Sequence, residues 1–188
     1  MTEQHVRHAI FPAILLALAL LPLPAQATQE KITEMEGERI VRNSMTIEAE
    51  YIQPVELQNG KVARKDADIY LQAHIKAASA NPLGFSKFAW IPFLDVRYTL
   101  KKTGTRWQSE GRLDPAIAQY GPHYGANVKL DGFGKYHLTL HVAPPAEGIY
   151  RHIGVDTGMV FWKPFDVDWN FSYLGVGKRT AVGGSGGY

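Results

Sequence analysis

Histidine is plentiful and cysteine absent in this chain of 188 residues, which holds seven of the first and none of the second. Thiolate chemistry is therefore excluded, and with it disulfides, iron-sulfur clusters, c-type haem attachment and cysteine-ligated blue copper. Any metal must be held by His, Met, Asp, Glu, Tyr or backbone oxygens. Imidazole without thiolate suits Zn, Cu or Fe. His5 and His8 lie in an apolar leader, which leaves His74, His123, His137, His141 and His152 as candidate ligands. The most distinctive local string is Tyr120-Gly121-Pro122-His123-Tyr124-Gly125-Ala126-Asn127-Val128. Its proline and glycines around a histidine predict a rigid, tightly turned presentation of His123. Arg151-His152, in a loop after Pro144-Pro145, is the second candidate. His137 and His141 flank Thr139 on one strand face, which reads as an exposed or dimer-contact surface.

Other chemistries find no support. Nucleophile elbow, P-loop, dinucleotide fingerprint and zinc-protease helix are all absent from the sequence, so the chain is read as not an enzyme. Twenty Lys and Arg against eighteen Asp and Glu leave a net charge of +2, too little for a dedicated nucleic-acid surface.

The elements that must position these residues come next. Residues 1–27 carry a polar start with Arg7, an apolar run from Ile10 to Leu23 and the small-x-small Ala25-Gln26-Ala27, a cleavable secretory signal that implies an exported product. The run is broken by Pro12 and Pro22 and is shorter than the roughly 20 residues a membrane span needs, so the product is not expected to span a membrane. Residues 28–44 are polar and read as an exposed lead-in, and residues 176–188 as a flexible Gly-rich tail. Between them, short runs rich in Val, Ile, Thr, Tyr and Phe predict strands over 45–52, 67–77, 93–101, 106–113, 136–142 and 165–174. Asn59-Gly60, Asn81-Pro82, Thr103-Gly104 and Asp131-Gly132 punctuate them, and 99–107 reads as a hairpin. No amphipathic helix is evident. The expectation is an all-β domain over 45–175, an immunoglobulin-like β-sandwich of two antiparallel sheets.

The strings MTIEAEYIQPVE (45–56), ADIYLQAHIKA (67–77), NPLGFSKFAWIPFL (81–94), GPHYGANV (121–128), Arg151-His152 and WKPFDV (162–167) together resemble the bacterial periplasmic iron-transport protein family. The resemblance covers about 45–175. It implies a periplasmic immunoglobulin-like sandwich that forms homodimers and binds copper or a related divalent ion near the dimer interface. It also implies a role in ferrous iron uptake through an inner-membrane iron permease.

The family's ligands carry over unevenly. The His of GPHYGAN falls on His123, and that of the Arg-His pair on His152. Where the family reads D-I-H-x-E-A-D, this chain has Asp68-Ile69-Tyr70-Leu71-Gln72-Ala73-His74, so a ligand His becomes Tyr70 and its neighbouring carboxylate Gln72. The family's Met falls on Ala116, and the acidic residue before GPHYG on Tyr120. Loss of the thioether disfavours Cu(I). With period two along a strand, residues 70, 72 and 74 share a face, so a site rebuilt from His74, His123 and His152 with the Tyr70 phenol is expected, holding a divalent copper, iron or zinc ion. The alternative is a dimeric docking scaffold for the permease whose metal site has decayed, with Tyr70 and Gln72 filling the old cavity.

Overall fold

The computed structural model describes residues 33–34, 39–79 and 81–175. The expected signal segment and Gly-rich tail lie outside the described residues. Among the described residues nine strands form in chain order: β1 (Thr33–Glu34), β2 (Ile40–Arg42), β3 (Met45–Ile52), β4 (Ile69–Ala77), β5 (Asp95–Lys102), β6 (Gln108–Ala118), β7 (Gly121–Val128), β8 (Gly134–Ala143) and β9 (Phe165–Tyr173). Among the described residues a 3-10 turn, Arg64–Asp66, interrupts the loops. All strand pairings are antiparallel, in the order β1-β3-β4-β7-β6-β5-β8-β9, with β2 also on β3. The all-β expectation is borne out.

β6 joins the two sheets. Its first part pairs with β5 over 108–113 and its second with β7 over 114–118, so one strand belongs to both. At the far ends the layers meet again. Arg42 Nη1 donates to the carbonyl of Asp166 at 2.8 Å and Tyr51 Oη to that of Ser172 at 3.4 Å, bringing the β2/β3 side against β9 and nearly closing the sandwich into a barrel.

Alternation explains most of these strands. In β9 the odd positions Phe165, Val167, Trp169, Phe171 and Tyr173 are buried while Asp166, Asp168 and Asn170 face out. β3 and β8 repeat the pattern. Ile47, Leu71, Ile75, Leu138 and Leu140 are wholly buried in the shared core, each contributing about 1.5–3 kcal/mol by leaving water.

Two local results differ from the sequence reading. GPHYGANV, expected as a tight turn, is the regular strand β7. It lies between β4 and β6 with both faces largely covered, so it lacks the alternating polarity that marks a half-buried strand. Strand pairing also reaches into 28–44, since β1 and β2 both pair with β3.

Candidate metal centre

The candidate site lies on the outer face of the sheet formed by β3, β4, β7 and the second part of β6. On β4, Leu71, Ala73 and Ile75 enter the core, so period two sends Tyr70, Gln72 and His74 to the other side. Glu50 on β3 stands opposite Gln72, and Gln72 stands opposite Gly125 on β7. Ala116 on β6 is opposite His123. The register therefore assembles a patch from four segments far apart in sequence.

Each residue of the GPHYGAN string has a separate task. Gly121, at φ +116°, closes the two-residue connection from β6 and allows a backbone conformation that a side chain resists. His123 faces the patch and is buried to 1% exposure. Tyr124 points the opposite way into the core, where its hydroxyl donates to the carbonyl of Ile91 at 2.6 Å and accepts from the amide of Leu94 at 3.0 Å. Gly125 leaves the space in which the Tyr70 phenol lies. Asn127 ties the 55–62 loop down, accepting from the Val55 amide at 3.1 Å and donating to the carbonyls of Val55 at 2.8 Å and Val62 at 3.0 Å.

Because Gly125 has no Cβ, the Tyr70 ring crosses β7 diagonally and its hydroxyl meets His123 Nε2 at 2.9 Å. The other ring nitrogen, Nδ1, is 3.3 Å from the Gly121 carbonyl. His74 Nε2 lies 2.7 Å from Glu50 Oε1, which also accepts from the Gln72 amide. Tyr120, at the β6–β7 connection, stacks on the His123 ring with centroids 5.4 Å apart and donates its hydroxyl to Gln72 Oε1 at 2.8 Å. The His74 and His123 rings are 5.8 Å apart. Glu50, Tyr70, Gln72, His74, Tyr120 and His123 thus form one connected group.

Its electrostatics favour an anionic Glu50 and a neutral His123. Burial raises the Glu50 carboxyl, but hydrogen bonds from His74 and Gln72 and the nearby His74 and His123 charges outweigh it, leaving it below its ordinary value. Burial pushes the His123 imidazole down, against the Gly121 carbonyl that favours its protonation, and His74 adds to the lowering. Burial also pushes the Tyr70 phenol well above its ordinary range, with Tyr120 adding to it.

The structure brings Tyr70, His74 and His123 together. His152 stands apart from them on the exposed 144–164 loop, its Nδ1 3.3 Å from Thr157 Oγ1. His137 and His141 lie on the outer face of β8, against Asp168 at 3.2 Å and Asp166 at 2.7 Å. Glu50 was missed by the sequence reading. Its signal was present in the alternation Glu48, Glu50 opposite apolar Ile47, Ala49 and Tyr51, but the register to Gln72 was not.

The donor chemistry is nitrogen and oxygen only, which fits borderline and hard ions and lacks the sulfur that selects Cu(I). Among the described residues no three His, Asp or Glu side chains converge as a ligand group. His123 Nε2 is turned to the Tyr70 phenol, so the donor that completes such a group here is phenolic. Ala116 and Gly125 also line a cavity of about 600 Å³ bounded by Lys61, Asp114, Pro122 and Asn127.

The profile of the Fe2+ transport protein family matches residues 31–175. A Brucella abortus UPF0423 protein is 40% identical over 177 residues, spanning 90% of this chain and 95% of its own. Among solved structures, a copper-bound glutamate-to-glutamine variant of FetP from uropathogenic Escherichia coli strain F11 is 40% identical with a TM-score of 0.74, covering 78% of this chain and 99% of that one. A copper-bound methionine-to-isoleucine variant of Campylobacter jejuni P19 is 38% identical with a TM-score of 0.73, covering 78% and 99%.

Proposed function

Because the chain belongs to the Fe2+ transport protein family, we propose that it is a periplasmic accessory of an iron-uptake system. It binds a metal ion at the group around His123 and passes it toward an inner-membrane iron permease. The ion is cargo and no catalytic turnover is required. The observation that carries this reading is the adjacency of two hydrogen-bonded pairs on one face, Tyr70 with His123 and Glu50 with His74, their imidazole rings 5.8 Å apart.

Two further observations support it. The relatives that hold copper include a variant with a glutamate changed to glutamine and one with a methionine changed to isoleucine, so copper is held in each of those proteins without one such side chain. The apolar leader with its small-x-small ending supports export to the periplasm.

The homodimer belongs to the same reading. The loop that carries His152 also exposes Tyr150, Ile153, Val155 and Val160, an apolar stretch that a second copy would cover. In that arrangement His152 serves the assembled dimer and not the isolated chain.

Calorimetric titration of metal-free mature protein with Cu(II) and Zn(II) tests the reading. His123→Ala is expected to weaken binding at least tenfold, or about 1.4 kcal/mol. An unchanged isotherm would overturn the assignment. The second reading, a docking scaffold, is favoured by the satisfaction of Tyr70, Gln72 and His74 by protein partners alone, and failure of the wild type to bind any ion would show the metal site to have decayed and favour it.

A further inference from the structure

We propose that Tyr120 is a lid over His123, held shut by its bond to Gln72, and that its outward swing opens His123 to solvent. The passage of an ion through that opening rests on the metal-binding reading above, whereas the lid itself does not.

His123 belongs to the outer face of its sheet and is nevertheless buried to 1% exposure, so other side chains must cover it. Tyr70 covers one side, itself buried and fixed in the space above Gly125. His74 stands on another, within β4 and bonded to Glu50. Tyr120 lies over the ring, its plane 26° from that of the imidazole and its centroid 5.4 Å away. For a solute to reach His123, some part of this cover must move. Tyr70 and His74 are each placed inside a strand paired on both sides, and displacing either disturbs that packing.

Tyr120 is placed differently. It sits on the two-residue connection Gln119-Tyr120 between β6 and β7, outside both strands. It is 54% exposed, so one surface of its ring is wet while the other covers His123. Gln119, Ile117 and Pro122 around the tip are exposed as well, which leaves solvent outward of the ring. Rotation about the bonds of its own side chain is therefore enough, and no strand has to part.

Gln72 sets how firmly the lid is held. Its amide nitrogen donates to Glu50 Oε1, which turns its oxygen toward Tyr120, and that oxygen accepts the Tyr120 hydroxyl at 2.8 Å. Gln72 is itself buried, so the latch has a fixed seat. An edge contact with His74, centroids 6.2 Å apart, completes the closed position. Position 120 is also where the family resemblance leads one to expect an acidic residue, so here a cover stands in place of a charge.

Carbethoxylation by diethylpyrocarbonate, followed histidine by histidine through peptide mass spectrometry on metal-free mature protein, reads the lid. Reaction at a covered group follows the population of the open form. His137 and His141, on the outer face of β8, are the exposed references. Tyr120→Ala removes the cover and is expected to raise the His123 rate at least about tenfold relative to them. Tyr120→Phe keeps the ring over the imidazole and loses the bond to Gln72, so a lid held by that bond opens more often, by about threefold or more. A fixed cover would protect His123 equally in the wild type and the Phe variant, and that result overturns the lid. An unchanged rate in the Ala variant overturns it too. Circular dichroism and unaltered His137 and His141 rates establish that both variants fold. Cu(II) titration of the same proteins separates the two readings. If the wild type binds no ion while His123 reacts faster in both variants, the lid stands and the metal-binding reading fails; if the ion binds and the rates do not change, the lid alone fails.

Discussion

The phenol of Tyr70 lies across Gly125, in space that any Cβ at that position would occupy. This is the relationship that lets a residue on β4 reach a histidine two positions along the neighbouring strand. It makes a glycine with ordinary backbone angles as necessary to this group as the polar side chains in it.

Gly125→Ala is therefore expected to destabilise the protein by about 1–3 kcal/mol, the usual range for forcing a methyl into filled space. Combining it with Tyr70→Ala should cost less than the sum of the two single changes, because the clash disappears with the ring. Denaturant unfolding of the four proteins in the cycle measures this. Strict additivity would mean that the two side chains do not compete for the space.

Asn127 holds the 55–62 loop through three hydrogen bonds. Asn127→Ala should cost about 1–3 kcal/mol, since the Val55 amide and two carbonyls lose their partner. Hydrogen exchange should quicken at Val55 while the Leu71 and Ile75 amides in β4 keep their protection. Equal loss of protection everywhere would show the loop to be held by something else.

Copper affinity should respond to donor type. Restoring imidazole and thioether with Tyr70→His and Ala116→Met is expected to raise Cu affinity at least tenfold, about 1.4 kcal/mol. Competition against a copper chelator of known strength reads the effect. No gain in copper affinity would mean that positions 70 and 116 do not address the ion.

Alkaline pH should separate the tyrosines. Burial pushes the Tyr70 and Tyr124 hydroxyls far above their ordinary value of 10.0, and burial with the nearby Asp68 charge raises Tyr173 to about 12. The unfolded chain loses these protons near 10.0, so the stability they contribute is full below that pH and is lost as pH rises toward the folded values. Native protein should thus ionise only some of its nine tyrosines reversibly, and the rest together with unfolding. Tyrosinate absorbance followed alongside far-ultraviolet circular dichroism checks this. Reversible ionisation of all nine without loss of secondary structure would contradict the burial described here.

Strands with one dry face were legible in the sequence, because side-chain alternation is a local signal. β9 shows this, with Phe165 to Tyr173 alternating without a break. β7 was not legible as a strand, since a proline, two glycines and cover on both faces erase the alternation. At the site, the shared face of Tyr70, Gln72 and His74 followed from period two alone. That Glu50 joins them depends on the β3–β4 register, which is fixed by core packing and has no local mark. The exposed position of His152 likewise depends on where a long loop folds, which spacing along the chain does not encode.

β6, shared between the two sheets, bears on how such a protein can change over time. Its two parts are continuous, so one residue inserted near Asp114 would turn over the strand beyond it. That change would move the Ala116 face and force β7 either to slip or to carry His123 into the hydrocarbon interior. A length change in this strand therefore needs a bulge to absorb it, while exchanges of one side chain for another on the outer face leave the register untouched. A group of side chains mounted this way changes its chemistry by single substitutions more readily than by insertion.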